Sequence, residues 1–149
     1  MIGRFLVGAL LLACGLAHAV LDGKPGDAPA ATVHSSSGAT SAGVPYTEVS
    51  RTLATGTVVR EYADASGTVF AVSWSGPYKP DLKQLLGSHF AAFRDAAAAG
   101  PQRRANRARA PVDTGDLVAH SGGHMGAFEG RAWLRSRLPA GFDPQEDVK

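Results

Sequence analysis

Two histidines, His120 and His124, flank a Gly122-Gly123 pair, and this spacing is the sharpest chemical feature of the chain. If Ser121-Gly122-Gly123 forms the turn of a hairpin, the two imidazoles face each other across it. They can then converge on one metal ion, with His89, Asp113 or Asp116 as further ligands. The same pair can divide the work of general acid and general base near neutral pH. The plainer alternative makes them polar residues beside a turn, bonded to backbone. Neither a helical His-Glu-x-x-His context nor nearby cysteines accompany them, so the spacing selects no metal, and no cofactor is expected. Ser121, next to His120, invites a nucleophile reading. The surrounding Ala119-His120-Ser121-Gly122-Gly123 lacks the Gly-x-Ser-x-Gly elbow, and neighbouring strand residues point to opposite faces. An acid to orient the histidine cannot be placed either.

Other residues favour contact over catalysis. Tyr78 lies in a Gly/Pro-rich loop and Trp133 near a strand end, where an amphipathic ring can meet a glycan or protein. Arg131 and the Gly-rich hairpin complete that candidate surface. Trp74, by contrast, falls on a predicted core face, and His89 falls on the apolar stripe of a helix. Arg103-Arg104-Ala105-Asn106-Arg107-Ala108-Arg109 is a basic run without interleaved aromatics for base stacking, so it reads as a solvated loop. Anionic lipid is the other surface such a run can meet. The chain carries a net charge of +2, which calls for no polyanionic partner, and nucleic acid is not expected. Neither paired carboxylates nor a phosphate-cradling loop is evident.

The elements that must position these residues follow from periodicity. Tyr46 to Leu53, Thr57 to Tyr62 and Thr68 to Trp74 are rich in β-branched and aromatic residues and read as strands. In the third, Phe70, Val72 and Trp74 alternate onto one face, with Val69, Ala71, Ser73 and Ser75 on the other. Asp64-Ala65-Ser66-Gly67 supplies a turn between the second and third. Gly76-Pro77-Tyr78-Lys79-Pro80 breaks the sheet, and Asp81 opens a helix in which Leu82, Leu85, Leu86, His89, Phe90 and Phe93 form an apolar stripe. Gly100-Pro101 ends it. Asp116–His120 and Met125–Trp133 then make a second hairpin, whose Gly126 and Gly130 suggest a bulge or a close backbone approach. The expected fold is α+β, an antiparallel sheet in βββ-α-ββ order with one amphipathic helix on one face.

The ends set the compartment. Arg4 followed by an uncharged apolar run from Phe5 to Ala17 has the form of a secretory signal peptide, and Ala17-His18-Ala19 supplies the cleavage site. The run is shorter than the ~20 residues of a membrane span. The expected divisions are therefore a signal peptide over 1–19, a Gly/Ala/Ser/Thr-rich flexible leader over 20–43, one domain over 44–138 with a polar linker at 101–114, and a tail over 139–149. Cleavage near Ala19 discards Cys14, the single cysteine, and releases a periplasmic or secreted protein without a stable membrane span. Leu11-Leu12-Ala13-Cys14-Gly15 offers the alternative of a lipoprotein anchored through Cys14.

Two blocks of residues carry a family resemblance. Gly56-Thr57-Val58-Val59-Arg60-Glu61-Tyr62, Ser66 to Trp74 and Pro80 to Gly87 form the first; Ser121-Gly122-Gly123-His124-Met125, Ala127-Phe128 and Gly130-Arg131-Ala132-Trp133-Leu134 form the second. They resemble an exported proteobacterial family, domain of unknown function 2844. The resemblance runs from about Val44 to Leu138 and implies a periplasmic accessory protein, with no activity, cofactor or site residue to carry over. The expectation is a non-catalytic accessory or binding module of the cell envelope, with another exported or envelope protein as partner. Its contact residues would be Tyr78, His120, His124, Arg131 and Trp133. The alternative is a metal- or His-dependent periplasmic enzyme centred on His120 and His124.

Overall fold

The computed structural model describes residues 21–26, 30–99 and 111–149. The signal segment, Cys14 and the Arg-rich run lie outside the described residues. Seven strands form one antiparallel sheet: β1 Ala30–Ala39, β2 Pro45–Leu53, β3 Val58–Ala63, β4 Val69–Gly76, β5 Val112–Asp113, β6 Leu117–His124 and β7 Ala127–Leu134. Their spatial order is β1-β2-β3-β4-β7-β6-β5. Between β4 and β5 lie α1, Leu82–Leu86, a 3₁₀ turn over Gly87–His89, and α2, Phe90–Ala99. The fold is α+β, with four strands before the helical segment rather than three and a short extra strand after it.

The added first strand corrects the reading of 20–43 as a flexible leader. β1 pairs with β2 along its length, from Ala30 opposite Leu53 to Ala39 opposite Pro45. Its side chains are almost all exposed, so its order comes from backbone hydrogen bonds to a neighbouring strand rather than from apolar burial. Upstream, Leu21 is completely buried, and the Asp22 N–H donates to the Val69 carbonyl at 2.8 Å. The Gly26 N–H donates to the Glu61 carboxylate at 3.0 Å.

The helix starts as its sequence dictates. The Asp81 carboxylate accepts from the N–H groups of Lys83 and Gln84, satisfying donors that have no partner within the helix. It does not run unbroken: Gly87 takes φ 51° and inserts the 3₁₀ turn. Leu82, Leu85 and Leu86 are consequently buried, while Phe90 and Phe93 only pack at the edge of the cluster.

Two clusters divide the sheet by face. The helix face holds Val59, Ala63, Val69, Val72, Trp74, Leu117, Ala119, Ala132 and Leu134 beneath α1 and Leu21. The opposite face, covered by the C-terminal tail, holds Tyr62, Phe70, Ala71, Val118 and Trp133 with Phe142 and Val148 of the tail. Phe70 therefore does not share a face with Val72 and Trp74. Tyr62 pairs with Ala71 and Ala63 with Val69, so Phe70 is the extra residue of a β-bulge, and the alternation changes phase there. Phe142 fixes the tail edge-on to Phe70 at 4.8 Å and to Tyr46 at 5.3 Å, and the Ala140 carbonyl accepts from the Thr40 hydroxyl at 2.7 Å.

Candidate functional site

The second hairpin turns three residues later than its Gly122-Gly123 pair suggests. β6 continues through Ser121, Gly122 and Gly123 to His124, which pairs with Ala127, leaving Met125-Gly126 as a two-residue turn with Gly126 at φ 86°. His120 and His124 thus lie on one strand, four residues or roughly 13 Å apart, and do not face each other. His120 pairs with Arg131 and stacks on Trp133, rings 5.4 Å apart and 17° from parallel. His124 is exposed at the hairpin tip, its Nδ1 3.1 Å from the Met125 carbonyl oxygen.

The other ligands considered for that pair are engaged elsewhere. Asp113 holds Arg135 through two bonds of 2.7 Å, and this guanidinium, with the Gly115 N–H, keeps its carboxyl far below the ordinary carboxylate range. Asp116 accepts from the Ser136 N–H at 2.8 Å and hydroxyl at 3.0 Å, and the backbone bond leads in lowering its pKa. His89 sits in the turn between the helices, on the other side of the sheet. Among the described residues no group of three or more His, Cys, Asp or Glu is placed to hold a metal ion. Ser121 pairs with Gly130 and, one residue from His120 on the strand, takes the opposite face.

The hairpin does contribute to a groove, on the tail side of the sheet. A row of cross-strand neighbours runs Arg60, Ser73, Arg131, His120 through β3, β4, β7 and β6. The next row is Ser75, Glu129, Gly122. Hydroxymethyl groups and a glycine leave the middle of this face low, while two arginines and a histidine stand around it. The result is an open groove of about 580 Å³ whose remaining wall is Val148 and Lys149, a volume within the roughly 300–1,000 Å³ of ligand sites. Gly130 belongs to its floor because the Trp74 indole lies across it on the other face; a Cβ there would meet that ring and come within 2.6 Å of the His120 carbonyl oxygen. This is the close approach expected of Gly130.

The groove's electrostatics are uneven. Arg60 pairs with Glu48 at 3.5 Å. Arg131 has no carboxylate within ion-pair distance among the described residues; its partners are the Gln145 carbonyl at 3.1 Å, the Gln145 side-chain oxygen at 3.0 Å and the Val148 carbonyl at 3.5 Å. Burial, reinforced by the adjacent Arg131 charge, lowers the His120 pKa from its ordinary 6.5, so the imidazole is neutral at pH 7 and available as donor and acceptor.

Of the expected contact residues, His120 and Arg131 line the groove. Trp133 is buried beneath the histidine at 5% exposure, and Tyr78, at 62%, stands with Met125 at the end of the sheet where β4 meets the hairpin tip. Arg60, Ser73, Ser75 and Glu129 were not legible as site residues. Their types are ordinary for exposed strand positions, and only the register brings them together.

Fold and site together define a small single-sheet α+β protein with a polar, arginine-flanked groove on one sheet face. The chain belongs to the family described as protein of unknown function, DUF2844, which it matches over residues 17–147. No curated protein and no solved structure matches it.

Proposed function

We propose that this protein is an exported, non-catalytic binding module of the cell envelope, which meets another exported or envelope protein through the groove between Arg60 and His120. The observation that carries this reading is the groove itself. It is open, lined by donors of fixed geometry and walled by a segment of peptide, a design suited to holding a ligand. Export is supported by the arrangement of the N-terminal residues: Arg4, the apolar run and Ala17-His18-Ala19 fit a cleaved signal. Leu21 is already packed into the core two residues beyond that site, so cleavage there preserves the anchored segment. Among the described residues no helix is long and apolar enough to cross a membrane.

The reading is tested by placing a photo-crosslinking side chain at Ser75, in the groove, or at Lys83, exposed on the helix side, and expressing each in the native host. The expected result is a periplasmic product beginning at Val20 that forms an adduct from position 75 and not from 83. Retention in the cytoplasm, or equal adducts from both positions, would overturn it.

A further inference from the structure

We infer that β1 is a dimerisation edge, to which a second copy of this chain adds its own β1, antiparallel about a two-fold axis. β1 lies outside the strands that form the groove, and the inference does not depend on that site. It stands first in the sheet, with a neighbouring strand on one side only. The bonding pattern shows what the other side offers. The Thr40 N–H donates to the Val44 carbonyl at 2.9 Å, so Gly38, Ser36 and His34 exchange bonds with Tyr46, Glu48 and Ser50 of β2. Val33, Ser35, Ser37 and Ala39 alternate with them and turn their N–H and C=O groups outward.

Proteins block such edges with short strands, charges, prolines, bulges or a covering segment. β1 is ten residues long and holds neither proline nor any Asp, Glu, Lys or Arg. Its one irregularity falls at its start, between Ala30 and Thr32. Among the described residues nothing covers it, and its side chains are exposed on both faces. The opposite edge of the sheet is different. β5 has two residues, and its Asp113 is paired with Arg135. Beyond β5, the free length of β6 includes Gly123 at φ 112°, away from the extended form. One open edge per copy lets pairing stop at two.

The strand's own character selects the occupant. A foreign strand is chosen through pockets that take its alternate side chains, and β1, small in side chain and bare on both faces, supplies none. A second β1 matches it in length and lack of charge. Pairing all four outward residues fixes one register, with Val33 opposite Ala39, Ser35 opposite Ser37, and Ser36 on the axis opposite its own copy. These pairs exchange roughly eight main-chain bonds. His34 falls opposite Gly38, over which the Tyr46 ring lies so closely that a Cβ would come within 2.5 Å of it. The imidazole of one copy is thereby brought beside the tyrosine of the other.

The test is analytical ultracentrifugation of the processed chain over a concentration series. The expected result is a reversible monomer–dimer equilibrium with a dissociation constant on the order of micromolar, because main-chain bonds rather than apolar area carry the contact. Ser35→Pro removes an outward N–H and no bond to β2. It should weaken association about tenfold or more and leave the melting temperature of the dilute protein unchanged. If the proline lowers that temperature, a cysteine pair decides. The processed chain lacks Cys14, and Ser36→Cys sets two cysteines with Cα atoms about 4.5 Å apart, within disulfide range. Mild oxidation should yield a covalent dimer from Ser36→Cys and none from Lys83→Cys. A monomer at every concentration, open-ended oligomers, a dimer indifferent to a folded Ser35→Pro variant, or equal crosslinking from positions 36 and 83 would each overturn the inference. So would a photo-crosslinker at Ser37 that captures a different protein in the native host in place of a second copy, since the edge would then belong to a foreign strand.

Discussion

The two faces of the sheet use the same strands to opposite ends. On the helix side nearly every inward position among the described residues is aliphatic, and the buried carboxylate there is paired with Arg51. Glu61, 1% exposed, accepts from Arg51 Nε at 3.1 Å and from the Gly26 N–H. On the tail side only the half beneath Phe142 is apolar, and the other half carries arginine, serine, histidine and glutamate open to solvent. Buried charge must be paired, whereas charge at a groove rim is stabilised by water. The helix side therefore holds the protein together, and the tail side is free to carry recognition.

Glutamates on the two faces give the largest contrast. Glu61→Ala leaves Arg51 and the Gly26 N–H without their partner and should cost about 3–5 kcal/mol, as loss of one member of a buried pair does. Glu129→Ala, at an exposed position one row from His120, should stay within about 0.5 kcal/mol. Denaturant unfolding of both variants measures the difference, and equal losses would erase the distinction between the faces.

The tail's own anchor comes next. Phe142→Ala removes the edge-on contacts with Tyr46, Phe70 and Tyr62 and should cost about 3 kcal/mol, the low end for a buried phenylalanine, because the tail can shift to fill the space. Hydrogen exchange should show protection lost in residues 139–149 while β6 and β7 keep theirs. Uniform loss across the sheet would mean that the tail side carries the fold as much as the helix side does.

Much of the helix side was legible in sequence and much of the tail side was not, for a physical reason. Helical periodicity and the Asp81 cap are local signals, and they located α1 and its three buried leucines. The runs 46–53, 57–62 and 68–74 likewise became β2, β3 and β4. The tail side depends on relations between strands. The bulge at Phe70 reverses an alternation that looks regular in sequence. β1, with its Ser35-Ser36-Ser37 run, is a strand only because β2 lies beside it. Gly122-Gly123 has the composition of a turn but pairs with Glu129 and Phe128, and the shift of the turn to Met125-Gly126 separates the two histidines. Arg60, Ser73 and Arg131 are 71 positions apart from end to end in numbering, yet they form one row once the register is known.

The smallest effect expected tests whether the groove stays free of carboxylate partners for His120. Burial and the nearby Arg131 both disfavour the imidazolium, so its folded pKa lies below 6.5, while the unfolded chain titrates near the ordinary value of about 6.5. As pH falls through that value the unfolded state takes up a proton that the folded state refuses. Stability is therefore fully present above neutrality and declines as pH drops, until the folded histidine also protonates. His120→Gln should flatten this decline between about pH 7 and 5 when unfolding is followed in denaturant. If the native protein instead gained stability on acidification, and the variant lost that gain, His120 would be held as a cation by a carboxylate such as Glu129. The groove would then be electrostatically closed on itself, as Glu61 and Arg51 are on the other face.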